Sequence, residues 1–241
     1  MYFWNLLTNY GDGISRESLL SALAFLIALC VALVFHEVAH GLVALWNGDD
    51  TAKRMGRLSV NPMRHFNLVG FLLMLFVGFG FANPVPVNPD NYKNKKVGSI
   101  TVAIAGVLTN LLLAFLSALG VMLMMQYIGK VFLSDYTDGQ YYFATFFVDF
   151  FRFMVSFNIS FALFNILPLY PLDGYRLIAS FVDERNGFLT FLRRYSLYIM
   201  LALVLWDSIP VISDFSPLQL YIGNAGSWLY KVFIQFWGLF V

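Results

Sequence analysis

Between Leu19 and Trp46 the chain runs for about 28 residues with no proline and with Glu37 as its one charged side chain. As an α-helix this segment is long enough to cross a ~30 Å hydrocarbon layer, and lipid leaves a backbone of that length little choice but to be helical. Inside it stands His36-Glu37-Val38-Ala39-His40. Ionisable side chains are costly at such depth and usually mark a working site. On a helix the two histidines lie one turn apart on one face, so both rings can reach one metal ion, with Glu37 beside them. That spacing is the zinc-hydrolase arrangement of two ligands and a general base. The competing reading is a pair of hydrogen-bonded histidines in a helix interface.

With 59% hydrophobic and 12% charged residues over 241 positions, the chain is too apolar for a soluble globular domain. It reads as an all-α polytopic membrane protein with four to six membrane helices, forming a single membrane-embedded domain over 1–241, with a core at 19–182 and C-terminal helices at 188–241. The net charge of +1 and the lack of a long basic block argue against nucleic-acid binding. One cysteine, Cys30, excludes an internal disulfide and a cysteine-based zinc site. The first eighteen residues lack the pattern of a cleaved signal, so the first long helix is expected to remain in the mature protein.

Further spans are expected at Ile100–Tyr127, Thr145–Leu167 and Phe188–Trp206, whereas Leu218–Val241 carries Lys231 and Gln235 and suits an interfacial helix equally well. Residues 47–99 carry seven Lys/Arg and 174–196 carry four, whereas 129–153 carries two with three Asp and 207–219 carries none with two Asp. The positive-inside rule therefore places those two segments in the cytosol. Both flanks of Phe66–Ala82 then lie on one side, and this short run, weakened by Gly70, Gly78 and Gly80, is expected to dip into the membrane and return.

A catalytic zinc takes three protein ligands and keeps one position open. The best third candidate is Asp173, in Asn165-Ile-Leu-Pro-Leu-Tyr-Pro-Leu-Asp173-Gly174, where two prolines and a glycine break a membrane helix. Irregular backbone survives in lipid only when buried in protein or lining a wet cavity. The topology brings Asp173 to the same side as the histidines. The alternative is that Asp173 N-caps a short helix from Gly174 to Val182.

HEVAH, ANPVPVNP, AGVLTN and NILPLYPLDG occur in this order, and together they resemble the site-2 protease family of intramembrane zinc metalloproteases. The resemblance implies His36, His40 and Asp173 as ligands of one Zn²⁺ per chain, Glu37 as general base, and Asn165 as a residue that holds the substrate carbonyl. The chain departs from the family pattern at Val107, where proline is usual, and at Asn67-Leu68, where Asp-Pro is common. No stretch within these 241 residues is available for the PDZ or CBS domains of many relatives, so a minimal form is expected.

A peptide bond in a transmembrane helix must be unwound before attack, which suggests a task for the Pro-rich stretch. In an extended Asn83–Pro89 segment, Pro84 and Pro86 remove the donors of one edge, leaving the amides of Val85 and Val87 on the other to pair with a substrate strand. Asn110, within an apolar run, reads as a polar contact between helices. The expected function is an intramembrane zinc endopeptidase acting on transmembrane segments of membrane-protein substrates in regulated intramembrane proteolysis. The expected setting is the lipid bilayer of a bacterial or archaeal inner membrane, with the active site toward the cytosol, and with a regulatory membrane partner or homo-oligomer left open. A metal-binding transporter and a catalytically silent chaperone or scaffold are the competing readings; Glu37 beside the ligand pair argues against both.

Overall fold

The computed structural model describes residues 15–77, 83–131, 137–183, 185–207, 209 and 215–241. Among these it is helical, with no strand. The helices are α1 (Arg16–Trp46), α2 (Thr51–Arg54), α3 (Leu68–Val77), α4 (Lys95–Val131), α5 (Asp138–Asn165), α6 (Asp173–Ala179), α7 (Gly187–Asp207) and α8 (Pro217–Trp237). Of these, α1, α4, α5 and α7 are long and apolar enough to cross a membrane. The chain is an integral membrane protein.

Helices α1 and α5 begin earlier than their apolar runs, because Ser15 and Thr137 each close a reciprocal capping box that adds a polar turn. Helices α1, α4 and α5 form the central bundle. Its seams are lined with alanine: Ala24, Ala28, Ala32, Ala44, Ala114 and Ala118 are fully buried. Small side chains are what tight helix packing in lipid requires, since apolar surface gains nothing by leaving an apolar solvent. Packing and internal polar contacts must therefore hold the bundle.

The two described ends of the stretch that begins at Phe66 meet at Asn83. The Asn83 N–H donates to the His65 carbonyl (2.9 Å), its Nδ2 donates to the Phe66 carbonyl (2.8 Å), and its Oδ1 accepts from Asn67 Nδ2 (3.0 Å). The two flanks of this segment therefore lie together, as the charge pattern on either side of it leads one to expect. Its outward limb α3 has 10 residues, or ~15 Å of helix, half a hydrocarbon core. Gly78, Gly80 and the end of the expected run at Ala82 lie outside the described residues.

Helix α8 packs lengthwise against α4 and α5, through Leu229, Tyr230, Phe233 and Trp237 on Ala114, Ala118 and Ile159. The Trp237 indole donates to the Phe115 carbonyl at 2.8 Å.

Candidate metal centre

His36 and His40 project from α1 into the seam with α4, and Asp173 enters from the far side at the start of α6. All three are buried, at 6%, 3% and 4% exposure. The Asp173 Oδ2 atom lies 3.3 Å from His36 Nε2 and 3.1 Å from His40 Nε2, and the two Nε2 atoms are 3.1 Å apart. Four-coordinate zinc with bonds of 2.0–2.1 Å places neighbouring donors about 3.3 Å apart. The triangle already has that size.

Its chemistry can be read from what lies behind the rings. His40 Nδ1 faces the Val102 carbonyl at 2.7 Å, and a carbonyl can only accept, so Nδ1 carries the proton. His36 Nδ1 is set by a relay of two buried amides. The Met154 carbonyl accepts from Asn158 Nδ2 (2.8 Å), which leaves Asn158 Oδ1 to accept from Asn110 Nδ2 (2.7 Å), which in turn presents Asn110 Oδ1 to His36 Nδ1 (2.6 Å). Both neutral rings therefore protonate Nδ1 and point a lone pair from Nε2 at the carboxylate. Asp173 Oδ2 itself has no hydrogen-bond donor. Three acceptors converge where one proton could satisfy only two. A cation fits the donor set, and the three residues form the one group among the described residues that could hold a metal.

Two features absent from the ligand list make this approach work. Gly106 on α4 faces the rings: a Cβ there would stand 2.5 Å from His40 Nε2 and 2.6 Å from His36 Nδ1. Asn110, one turn later and fully buried, is both the expected interhelical contact and the group that orients His36. The AGVLTN segment thus supplies a gap and a hydrogen bond. Gly174 does similar work for Asp173, since a Cβ there would collide with the carbonyls of Ile166 and Leu167, over which α6 folds. Asp173 does not cap α6; Leu172 occupies the N-cap and Asp173 is the first helical residue, which leaves its carboxylate free to face the histidines.

Glu37 lies on the adjoining face of α1 and accepts from the Val85 amide, Val85 N to Glu37 Oε2 being 2.8 Å. Of the two amides expected to line an open edge, that of Val85 is thus taken up by Glu37, because Gly41 lets the Val85 side chain settle against α1. Val87 N–H has no acceptor among the described residues. Asn165, at the end of α5, turns its Nδ2 back to the Phe161 carbonyl at 3.0 Å rather than toward the cluster.

The Pro-rich segment that carries Val85 is pinned at both ends. At one end Arg57 Nη2 donates to the Asn83 carbonyl at 2.7 Å. At the other, fully buried Asp49 accepts from the Asn88 N–H (2.6 Å), Asn91 Nδ2 (2.8 Å), the Thr51 N–H (3.1 Å) and the Thr51 hydroxyl. Burial alone would raise the Asp49 carboxyl, but these four donors outweigh it and hold it below the usual carboxylate range. Neighbouring Tyr92 is pushed up to about 12 by burial, with the Asp49 charge adding to the effect. An apolar cavity of about 310 Å³ lies elsewhere, between α1 and Val60–Pro62, and no residue of the triad lines it.

A profile of peptidase family M50, the site-2 proteases, matches residues 24–206. The Bacillus subtilis (strain 168) protein YwhC, provisionally named a zinc metalloprotease, is 40% identical over 176 residues, which cover 69% of this chain and 77% of that one. The chain belongs to peptidase family M50. No solved structure matches it. The matched span holds the whole triad, Glu37, Gly106, Asn110 and Asn158, and family membership supports a metalloprotease role for the chain.

Proposed function

We propose that this protein is an intramembrane zinc endopeptidase of the site-2 type, which hydrolyses peptide bonds in or near transmembrane segments of membrane-protein substrates as a step of regulated intramembrane proteolysis. The observation that carries the reading is the convergence of His36, His40 and Asp173 on one buried point, with Glu37 next to His36 on α1. His36, His40 and Asp173 would hold one zinc ion. When bound, it would polarise the scissile carbonyl and make a water nucleophilic near neutral pH.

The chain's own residues account for the rest. Glu37 takes a proton from the attacking water and delivers it to the leaving amine, so one carboxylate serves as base and then acid. The Val85 N–H fixes one oxygen of Glu37 and leaves the other for the water. Asn110 and the Val102 carbonyl hold the imidazoles in the tautomer that keeps both Nε2 atoms unprotonated. Asn165 is assigned to the substrate carbonyl, which requires its amide to leave the Phe161 carbonyl. A substrate strand pairs first with Val87, whose donor is free; pairing at Val85 competes with Glu37. The Lys/Arg bias of 47–99 and 174–196 supports a site facing the cytosolic side of a bacterial or archaeal cell membrane.

Glu37→Gln tests the assignment. The purified variant should keep one zinc per chain and lose cleavage of a single-pass substrate by about 10²-fold or more. Full activity in that variant would remove the base and the mechanism with it.

A further inference from the structure

Arg176 follows Asp173 by three positions on α6, and Gly174 folds this helix so closely over the carbonyls of Ile166 and Leu167 that the two side chains share one face. Arg176 Nη1 lies 3.9 Å from Asp173 Oδ1, while the other oxygen, Oδ2, faces both histidines. At that distance the contact is an ion pair and not a hydrogen bond. The guanidinium is exposed and makes no hydrogen bond among the described residues, so its N–H donors remain to be used. Other basic side chains are committed: Arg57 to the Asn83 carbonyl, Arg54 to Asp50, Lys95 to Asp90 and Arg193 to the Tyr175 hydroxyl.

Its neighbours place Arg176 at the rim of the site. The Arg176 charge acts on Tyr92, where it opposes the upward push of burial. Tyr92 packs with Ala44, Val102 and Val87. Ala44 is one turn beyond His40, the Val102 carbonyl orients the His40 ring, and Val87 carries the amide left free for a substrate strand. Arg176 thus stands where that edge meets the triad.

Peptide hydrolysis has a use for such a group. As the water oxygen bonds to the scissile carbon, the carbonyl π pair moves onto its oxygen and Glu37 takes the water proton; when the C–N bond breaks, that pair returns and the proton passes to the leaving amine. Charge therefore develops on the carbonyl oxygen and then disappears. Asn165 must leave the Phe161 carbonyl to reach that oxygen, whereas Arg176 gives up no hydrogen bond. A guanidinium beside a dication gains little in the resting site, because like charges repel. It gains once negative charge appears between them, and a contact made only in the transition state raises kcat.

We propose that Arg176 is a catalytic residue that donates to the oxyanion developing on the scissile carbonyl. The assignment rests on the peptidase reading above. The competing role is a prop for Asp173, and zinc affinity separates the two.

The test uses purified protein in detergent with a 24-residue Leu/Ala transmembrane peptide that has a Gly-Gly centre, and with the same peptide carrying a phosphinate in place of the Gly-Gly amide as a stable mimic of the tetrahedral oxyanion. Arg176→Gln should keep wild-type zinc affinity, lower kcat about 100-fold at nearly constant KM, and bind the phosphinate about 100-fold more weakly. Arg176→Lys, which restores the charge without the planar fork, should recover about tenfold of each loss. Weakened zinc binding in Arg176→Gln, read by chelator competition, would make Arg176 a prop and overturn the proposal, as would wild-type phosphinate affinity in that variant. If wild-type protein cleaves the peptide and Arg176→Gln cleaves it equally fast, this assignment alone fails. If wild-type protein neither cleaves the peptide nor prefers the phosphinate, the peptidase reading fails with it.

Discussion

Replacing Gly106 by alanine adds one methyl group to α4, and the structure says where it goes. The new Cβ would stand 2.5 Å from His40 Nε2 and 2.6 Å from His36 Nδ1. Ordinary contacts begin near 3.4 Å, so the rings and α4 must separate by nearly 1 Å. Metal sites tolerate only about 0.2 Å in donor distance. The helix can move as a body, at a cost of about 1–3 kcal/mol for overpacking, or the imidazoles can rotate and break their bonds to Asn110 and the Val102 carbonyl. Either response spoils the triangle. We expect zinc affinity to fall about 100-fold or more, close to 2.7 kcal/mol, measured by competition with a chromogenic chelator in detergent. Gly223→Ala is the control, because its added Cβ meets nothing within 4 Å and alanine favours a helix by about 1 kcal/mol. Stoichiometric, wild-type zinc binding by Gly106→Ala would refute the claim that close approach of α4 builds the site.

Further outcomes follow from the same contacts. Asn158→Ala removes the anchor of the Asn110 amide two contacts from the metal, and zinc affinity should drop about 10- to 100-fold, with the His36 ring tautomer, read by ¹⁵N NMR, no longer uniform. Asp49 has a lowered folded-state pKa, so its stabilising contribution is complete above the unfolded value near 4 and is lost as pH falls through the folded one. Hydrogen exchange at the Asn88 amide should therefore stay slow at pH 5 and accelerate only well below pH 4; in Asp49→Ala it should be fast throughout, at a cost of about 1–3 kcal/mol for each buried donor left unpaired.

How far the residues alone could lead is clear at the triad. Two histidines at i, i+4 are a local fact, and a carboxylate at a doubly Pro-broken helix end is an anomaly in lipid; both can be read in one dimension. Gly106 and Asn158 cannot. A glycine in an apolar helix looks like mild disfavour, and its purpose emerges only when α1 lies against it. Asn110 reads as a polar contact between helices, which it is, but its second partner, His36, lies 74 positions away. Asn83 shows the same limit. Its three bonds to residues 65–67 hold the two flanks of that segment together, yet in sequence it is simply the residue before a proline. The Val85 amide was expected on an open edge by strand alternation, and tertiary contact with Glu37 overrode it. Helix α8 is undecided by hydropathy, because its polar residues fit an interfacial helix as well as a spanning one; what the packing adds is which of its residues meet α4 and α5.

X-ray absorption at the zinc edge of the purified protein reads the ligand set itself. A triad of His36, His40 and Asp173 gives a four-coordinate shell of two imidazole nitrogens and oxygen ligands at 2.0–2.2 Å with no sulfur, and the ordered shell is lost in Asp173→Ala. A shell containing the Cys30 sulfur, or one unchanged by removal of the Asp173 carboxylate, would contradict it.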